Sequence, residues 1–324
     1  MQEHIEEVAK NIYRIPIPVP FPMKYVYCYL LKNDEEWVMI DTGLNYKAAR
    51  DAWLETFNQL QIDLMQVSMI FVTHFHPDHF GLSGWLQEKT GAKVFMSEVE
   101  YKMARTVWFK EGIQAEAIAN MMRSHGVSDA LASSMADNMI HLRKNVLPLP
   151  EVSILRSKKL TIADKEWEII EASGHSDGQL CFYDKKDRMM IVADQVLNKI
   201  TPNISKWPNA SDNPLFQYFN SLSMLKGYDV KRALPGHGVI IDNFIMRIDE
   251  ILKHHENRLQ KIKNVLKGFT TAYEVACQIF KTESFTPHQW RFAMAETLAH
   301  LEYLVSTGEI ERQQINERFY YSIN

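Results

Sequence analysis

Cysteine is scarce in this chain, with three among 324 residues. Cys28, Cys181 and Cys277 lie far apart, are odd in number and have apolar neighbours, which excludes a disulfide framework or a CxxC zinc site as the organising feature. Buried thiols are expected instead. Long apolar runs are missing too: no stretch approaches the roughly 20 uninterrupted apolar residues that span a bilayer. The opening MQEHIEEVAK is acidic and polar where a secretory signal would be basic and then apolar. A cytoplasmic protein with no membrane partner is expected. Neither sign of charge dominates, the net being −4, so only a local basic face would attract nucleic acid. No internal repeat or low-complexity tract is visible.

What is present is an ordinary globular composition, 46% hydrophobic and 23% charged. A chain of this length exceeds what one core usually organises, so one large domain and a smaller one are expected. NIYRIPIPVP, YVYCYLL and EWVMID read as strands and NYKAARDAWLETFNQL as a helix; VSMIFV is a strand that delivers the chain to His74. GLSGWLQEKTG then predicts a short helix closed by Gly91, and AKVFMS a further strand. Residues 98–147 read as a helical insertion, rich in Met and aromatic residues. EVSILRS, KKLTI, EWEIIEA, QLCFYD and RMMIVAD return to short strands that suit a second sheet. After the helix LFQYFNSLSMLKG and the strand RALPG, an α/β domain over 1–240 closes. Residues 241–324 predict three helices and a terminal hairpin, the order of a winged-helix module.

The stretch THFHPDHFG, residues 73–81, carries the chemistry. It packs His74, His76, Asp78 and His79 into six consecutive positions, a pattern that chance produces in about one chain in a thousand. In an extended chain His74 and His76 leave the same face and converge on one ion. Asp78 and His79 follow Pro77 at the turn into a helix, where they point toward a second. Two coordination shells need more ligands, each at a strand end beside small residues. His175 in ASGHSDGQ, Asp194 in MIVADQVL and His237 in ALPGHGVI meet that demand, Asp194 most tellingly, because a lone carboxylate after an apolar strand is costly unless it binds a cation.

These motifs, with Asp41 and Gly43 in MIDTG, resemble those of the metallo-β-lactamase superfamily over about residues 8–240. The resemblance implies an α+β fold of αββα sandwich type. It implies that His74, His76 and His175 bind one zinc, or another divalent ion such as Mn2+ or Fe2+, that Asp78, His79 and His237 bind a second, and that Asp194 bridges them. An all N/O ligand set is similar to the glyoxalase II-like branch. Asp78 and Asp194 are the expected catalytic carboxylates, and a hydroxide shared by two close dications would attack an ester-type bond. Asp41 and Thr73 are read as residues that orient ligands, Thr73 alternatively as a cap, and Asp177 as a turn residue rather than a ligand's partner. GHSDG lacks the Thr and Pro common after the third-motif His, and Ala193 stands where Gly is frequent.

The substrate is less clearly written. The insertion between His79 and His175 is read either as a wall over the metals that accepts an apolar tail, or as plain core or a dimer contact. The first reading implies a small-molecule acyl substrate, whether thioester, ester or lactone; the last implies a second copy of the chain as partner. The C-terminal part resembles the end of the beta-lactamase-like protein 2 subgroup, whose members include nucleases of single-stranded RNA. Lys253, Arg258, Lys261, Lys263 and Lys267 against Glu256 offer a phosphate-contacting face, so RNA is kept as the alternative substrate. A non-enzymatic, metal-stabilised regulator is a third class, weakened because Arg291 is the one strong cation on the helix HQWRFAMAETLAHLEYL.

Overall fold

The computed structural model describes residues 4–323; the outermost positions of both expected domains, 1–3 and 324, lie outside them. Among the described residues, β1 (Glu6–Ala9), β2 (Ile12–Pro18), β3 (Tyr25–Asn33), β4 (Glu36–Ile40), β5 (Val67–Phe71), β6 (Lys93–Met96) and β7 (Val152–Ile154) form a seven-stranded sheet in sequence order. β8 (Lys159–Ile162), β9 (Lys165–Glu171), β10 (Leu180–Asp184), β11 (Met189–Ala193) and β12 (Arg232–Pro235) form a second, antiparallel except that β12 pairs parallel with β11. β7 was expected in this second sheet. It pairs instead with β6, because the helical insertion acts as a right-sized parallel crossover that returns the chain to the first sheet's edge.

The period of two along each strand explains why the sheets face one another. On β3, Tyr27, Tyr29 and Leu31 join Phe182, Ile191 and Trp167 of the second sheet in one buried cluster. The alternate residues Val26, Cys28 and Leu30 face the other way, in a cluster with Trp53 and Phe57 of α1 (Lys47–Gln59). On β11, Met189 and Ile191 face inward, while Met190 and Val192 share the outer core with Leu222 of a later helix. Helices therefore cover the outer faces of two packed sheets, the expected sandwich. The acidic start concealed β1, an edge strand in which Glu6 and Glu7 are exposed and Val8 is buried.

After β5 come the one-turn helix α2 (Pro77–Phe80) and α3 (Ser83–Thr90), which ends at Gly91 in the left-handed conformation, φ 71°. The insertion consists of α4 (Glu98–Ala104), continuing into a π turn over Arg105–Phe109, then α5 (Ile113–Ser124) and α6 (Asp129–Arg143). α7 (Pro214–Leu225) precedes β12. α8 (Phe244–Val265), α9 (Ala272–Ile279) and α10 (Pro287–Ser306) follow, with a hairpin of β13 (Ile310–Ile315) and β14 (Arg318–Ile323). Capping boxes at Thr271/Glu274 and Thr286/Gln289 start α9 and α10.

The C-terminal segment packs on the insertion. α10 lies against α6, and the Tyr273 amide donates to the His125 carbonyl at 3.1 Å. A β-carbon on Gly126 (φ 96°) would meet Thr271 Cβ at 2.7 Å, so the α5–α6 turn touches the start of α9 closely. Cys28 and Cys181 are buried as expected, but Cys277 is exposed. α9 buries Ala272, Val275 and Ala276, the i, i+3, i+4 stripe, and position 277 falls off that stripe. No helix among the described residues is long and apolar enough to cross a membrane.

Candidate metal centre

Strand direction gathers the site. β4 and β5 are parallel, β9 and β11 both run antiparallel to β10, and β12 is parallel to β11. Within each sheet these strands therefore finish at one edge. Asp41 follows β4, the HxHxDH run follows β5, His175 lies in the β9–β10 connection, Asp194 follows β11, and His237 lies just past β12. One detail differs from expectation: β5 ends at Phe71, so His74 and His76 sit on a loop rather than on extended strand. They meet through different nitrogens, His74 Nε2 lying 3.0 Å from His76 Nδ1.

All seven side chains come together. Ligand atoms of His74, His76 and His175, of His74, His79 and Asp194, and of Asp78, His79 and His237 each lie within 4.8 Å of one another. Asp194 stands between the groups: Oδ1 is 3.4 Å from His79 Nε2, while Oδ2 is 3.7 Å from His175 Nε2 and 3.5 Å from His237 Nε2. Asp78 Oδ2 lies 3.1 Å from His237 Nε2.

Hydrogen bonds behind the cluster fix which nitrogen faces inward. Thr73 Oγ1 donates to Asp41 Oδ2 at 2.9 Å, so it accepts from His74 Nδ1, also at 2.9 Å, and leaves His74 Nε2 with a lone pair. His79 Nδ1 donates to Asp41 Oδ2 at 2.7 Å, His175 Nδ1 to the Asn203 carbonyl at 3.1 Å and His237 Nδ1 to the Tyr25 carbonyl at 2.8 Å. Thr73 thus does orient His74, a candidate ligand. Buried His79 Nε2, His175 Nε2 and Asp194 Oδ1 have no hydrogen-bond partner. Orphaned acceptors converging with two carboxylates are what a divalent cation satisfies.

The electrostatics agree. Burial pushes His76 down to about 3, and burial also holds His74 well below the ordinary imidazole value, with neighbouring imidazoles adding to it. Burial alone would raise the Asp78 carboxyl, but the His237 hydrogen bond and the His79 charge hold it at about 2. Burial opposes the Asp194 charge too, yet His237 and His79 keep its carboxyl far below the usual range. Burial would lower His79 and His237, but Asp194 chiefly raises both. Neutral His74 and His76 and ionised Asp78 and Asp194 suit a metal as they stand, whereas His79 and His237 would release their extra protons on binding it.

The profile of the metallo-beta-lactamase superfamily matches residues 22–237, more than half of the chain. The chain belongs to the metallo-beta-lactamase superfamily. The profile of a metallo-beta-lactamase-like C-terminal domain matches residues 259–321. A "Probable metallo-hydrolase YqjP" of Bacillus subtilis is 26% identical, over 91% of this chain and 92% of that protein. A "Beta-lactamase-like protein 2 homolog" of Caenorhabditis elegans is 23% identical, over 86% and 79%. Among solved structures, the metallo-beta-lactamase family protein TTHA1429 of Thermus thermophilus superposes with TM-score 0.88 at 32% identity, over 98% of this chain and 100% of that one. A Beta-lactamase domain protein of Burkholderia ambifaria gives 0.86 at 26%, over 99% and 94%.

Within this superfamily fold, one position that holds the centre escaped sequence reading. Glu100, fully buried on α4, accepts from the Phe75 amide at 2.8 Å and the Gly178 amide at 2.7 Å, tying the HxHxDH loop to the His175 turn. A lone Glu in SEVE gives no sequence signal. Gly236 does stand in the quoted PGHG: a β-carbon there would meet Asp194 Oδ1 at 2.4 Å and His79 Cε1 at 2.7 Å. Asp41 and Ala193 adopt left-handed φ values of 64° and 44°, strain that suits the sharp exits from β4 and β11. Asp177 touches no ligand; its Oδ2 accepts from the Ser211 amide at 2.9 Å and fastens the neighbouring loop.

A cavity of about 710 Å3 opens on His76, Asp78, His175 and Asp194. Met103, Val107, Trp108, Ile118, Met139 and Leu142 of the insertion form one wall, and Phe280, Phe285, Arg291 and Phe292 of the C-terminal segment another. The Met and aromatic residues of the insertion thus serve both as core and as cavity lining. Trp108 Nε1 donates to the Phe75 carbonyl at 2.8 Å, which seats this wall on the ligand loop.

Proposed function

We propose that this metallo-hydrolase is a dinuclear enzyme of the glyoxalase II-like kind that cleaves ester-type bonds, whether thioester, ester or lactone, in small acyl substrates. The observation that carries the reading is the apolar cavity ending at four of the seven clustered side chains. His74, His76 and His175 would hold one ion, Asp78, His79 and His237 the other, and Asp194, set between the groups, would bridge them. Zinc suits the N/O donors best, with Mn2+ or Fe2+ as alternatives. When bound, such ions supply Lewis acidity and an ionised water at neutral pH.

The chain's own residues supply the rest. Asp41 and the Asn203 and Tyr25 carbonyls hold imidazole Nδ1 protons away from the site, so that lone pairs face inward. Asp78 and Asp194 stay ionised beside the cavity, so their negative charge would hold the ions at its end. Met and aromatic walls exclude water from the acyl tail.

RNA is the weaker alternative, because the basic run over residues 253–267 is largely engaged. Lys253 pairs with Glu256 at 3.0 Å, Lys263 with Glu309 at 2.5 Å and Arg258 with Glu296 at 3.5 Å, leaving Lys261 and Lys267 outward. We further propose that 1–240, carrying the insertion 98–147, and 241–324, a winged-helix-like unit, are the two domains. A side-by-side assay of metal-loaded protein on thioesters, lactones and single-stranded RNA, with Asp194→Ala as blank, tests the function. Acyl cleavage above the blank is expected; RNA cleavage alone would overturn the reading.

A further inference from the structure

Arg291 stands on the second turn of α10, is 4% exposed, and lines the same cavity as the metal-centre residues. No carboxylate among the described residues lies within ion-pair distance of it. Its Nε has no hydrogen-bond partner. Nη2 finds only the neutral ring of His288, whose Nδ1 is 3.4 Å away. The carboxylate that α10 presents to the cavity is already taken: Glu296 pairs with Arg258 at 3.5 Å and accepts from Asn203 Nδ2 at 2.9 Å. Trp207 and Phe292 present ring faces 5.4 and 4.7 Å from the guanidinium carbon. Ring faces offset only part of the cost of desolvating a guanidinium.

Burial pulls Arg291 down to about 10 and His288 to about 4, so at neutral pH the arginine is charged and the histidine is not. A buried cation with an unpaired donor therefore lines the same apolar cavity as the clustered histidines and aspartates. Thr286 and Gln289, which form the cap of α10, line the cavity beside it and add the positive end of the helix dipole.

We propose that Arg291 receives a carboxylate at the tail of the acyl substrate, while the scissile bond lies at the metal centre. This inference rests on the acyl-hydrolase reading above. A carboxylate matches the single positive charge and the planar donor fork. A phosphate monoester dianion would leave one charge uncompensated among aromatic rings. The favoured substrates are thus half-acids, apolar chains with the hydrolysed bond at one end and a carboxylate at the other.

The test uses the metal-loaded full chain and three thioesters of equal chain length, ending in carboxylate, methyl or phosphate. Wild type is expected to favour the carboxylate tail over the methyl tail by at least about tenfold in kcat/KM, and Arg291→Met to lose that preference. Arg291→Gln is the second neutral variant should Arg291→Met fail to fold. A parallel arm measures thermal stabilisation by octanedioic acid monoamide against octanediamide, expected for the acid alone and only when Arg291 is present. Absence of any Arg291-dependent preference in both arms overturns the proposal, as does a preference for phosphate. Arg291-dependent binding without hydrolysis of any thioester would leave the anion site standing and sink the acyl-hydrolase reading.

Discussion

Asp41 is not one of the seven clustered side chains, yet it receives the Thr73 amide at 2.8 Å, the Thr73 hydroxyl at 2.9 Å and His79 Nδ1 at 2.7 Å. Asp41→Ala is expected to weaken metal binding about 10- to 100-fold, read by competition with a chelating dye. It should also cost about 1–3 kcal/mol of stability by leaving a buried amide unpaired. Gly236→Ala should impair metal binding similarly without unfolding the chain, because its β-carbon displaces Asp194 and His79 rather than core residues. Glu100 gives a pH signature. Burial raises its carboxyl from the ordinary 4.5 to about 7, against the pull of its hydrogen bonds. Between those values the unfolded chain has released a proton that the folded chain keeps, so stability falls as pH rises. The wild-type advantage over Glu100→Gln, measured by denaturant titration, should shrink across that window; a constant difference would contradict the assignment. Residue identity made the seven clustered side chains legible in sequence, since unlike Glu100 they arrive in recognisable motifs.

At the scale of elements, most strands were legible because one-face burial writes a period of two, as in YVYCYLL. β1 was not, because an edge strand with two exposed glutamates has no apolar signature. Nor was the sheet to which β7 belongs, since pairing across the insertion depends on a contact far along the chain. The insertion itself was readable as helical, but its role was not, because Met135 and Met139 sit on one face as either core or cavity lining. The structure places Met139 at the cavity while burying Met135. Met139→Ala should therefore shift the acyl preference toward longer chains, at a cost of about 2–5 kcal/mol in stability. Equal kcat/KM profiles across chain lengths in the two proteins would remove the insertion from substrate selection. Deleting the insertion would be a poorer probe, because its helices share a core with α9 and α10.

At the scale of the whole molecule, two sheets, an insertion and a C-terminal segment close around one chamber lined by both the His/Asp cluster and Arg291. The cluster was legible in sequence. The place of Arg291 was not, because it read only as the one strong cation of its helix, and the fold sets it against Trp207 and Phe292. Metal binding should stabilise the folded chain, since the unfolded chain holds no preformed site; chelation should lower the melting temperature and added zinc restore it. The most direct measurement of the central claim is the metal content of protein purified without chelators, set beside Asp194→Ala. About two divalent ions per wild-type chain and a clear loss in the variant are expected. Trace metal in the wild type, or equal content in both, would contradict the claim.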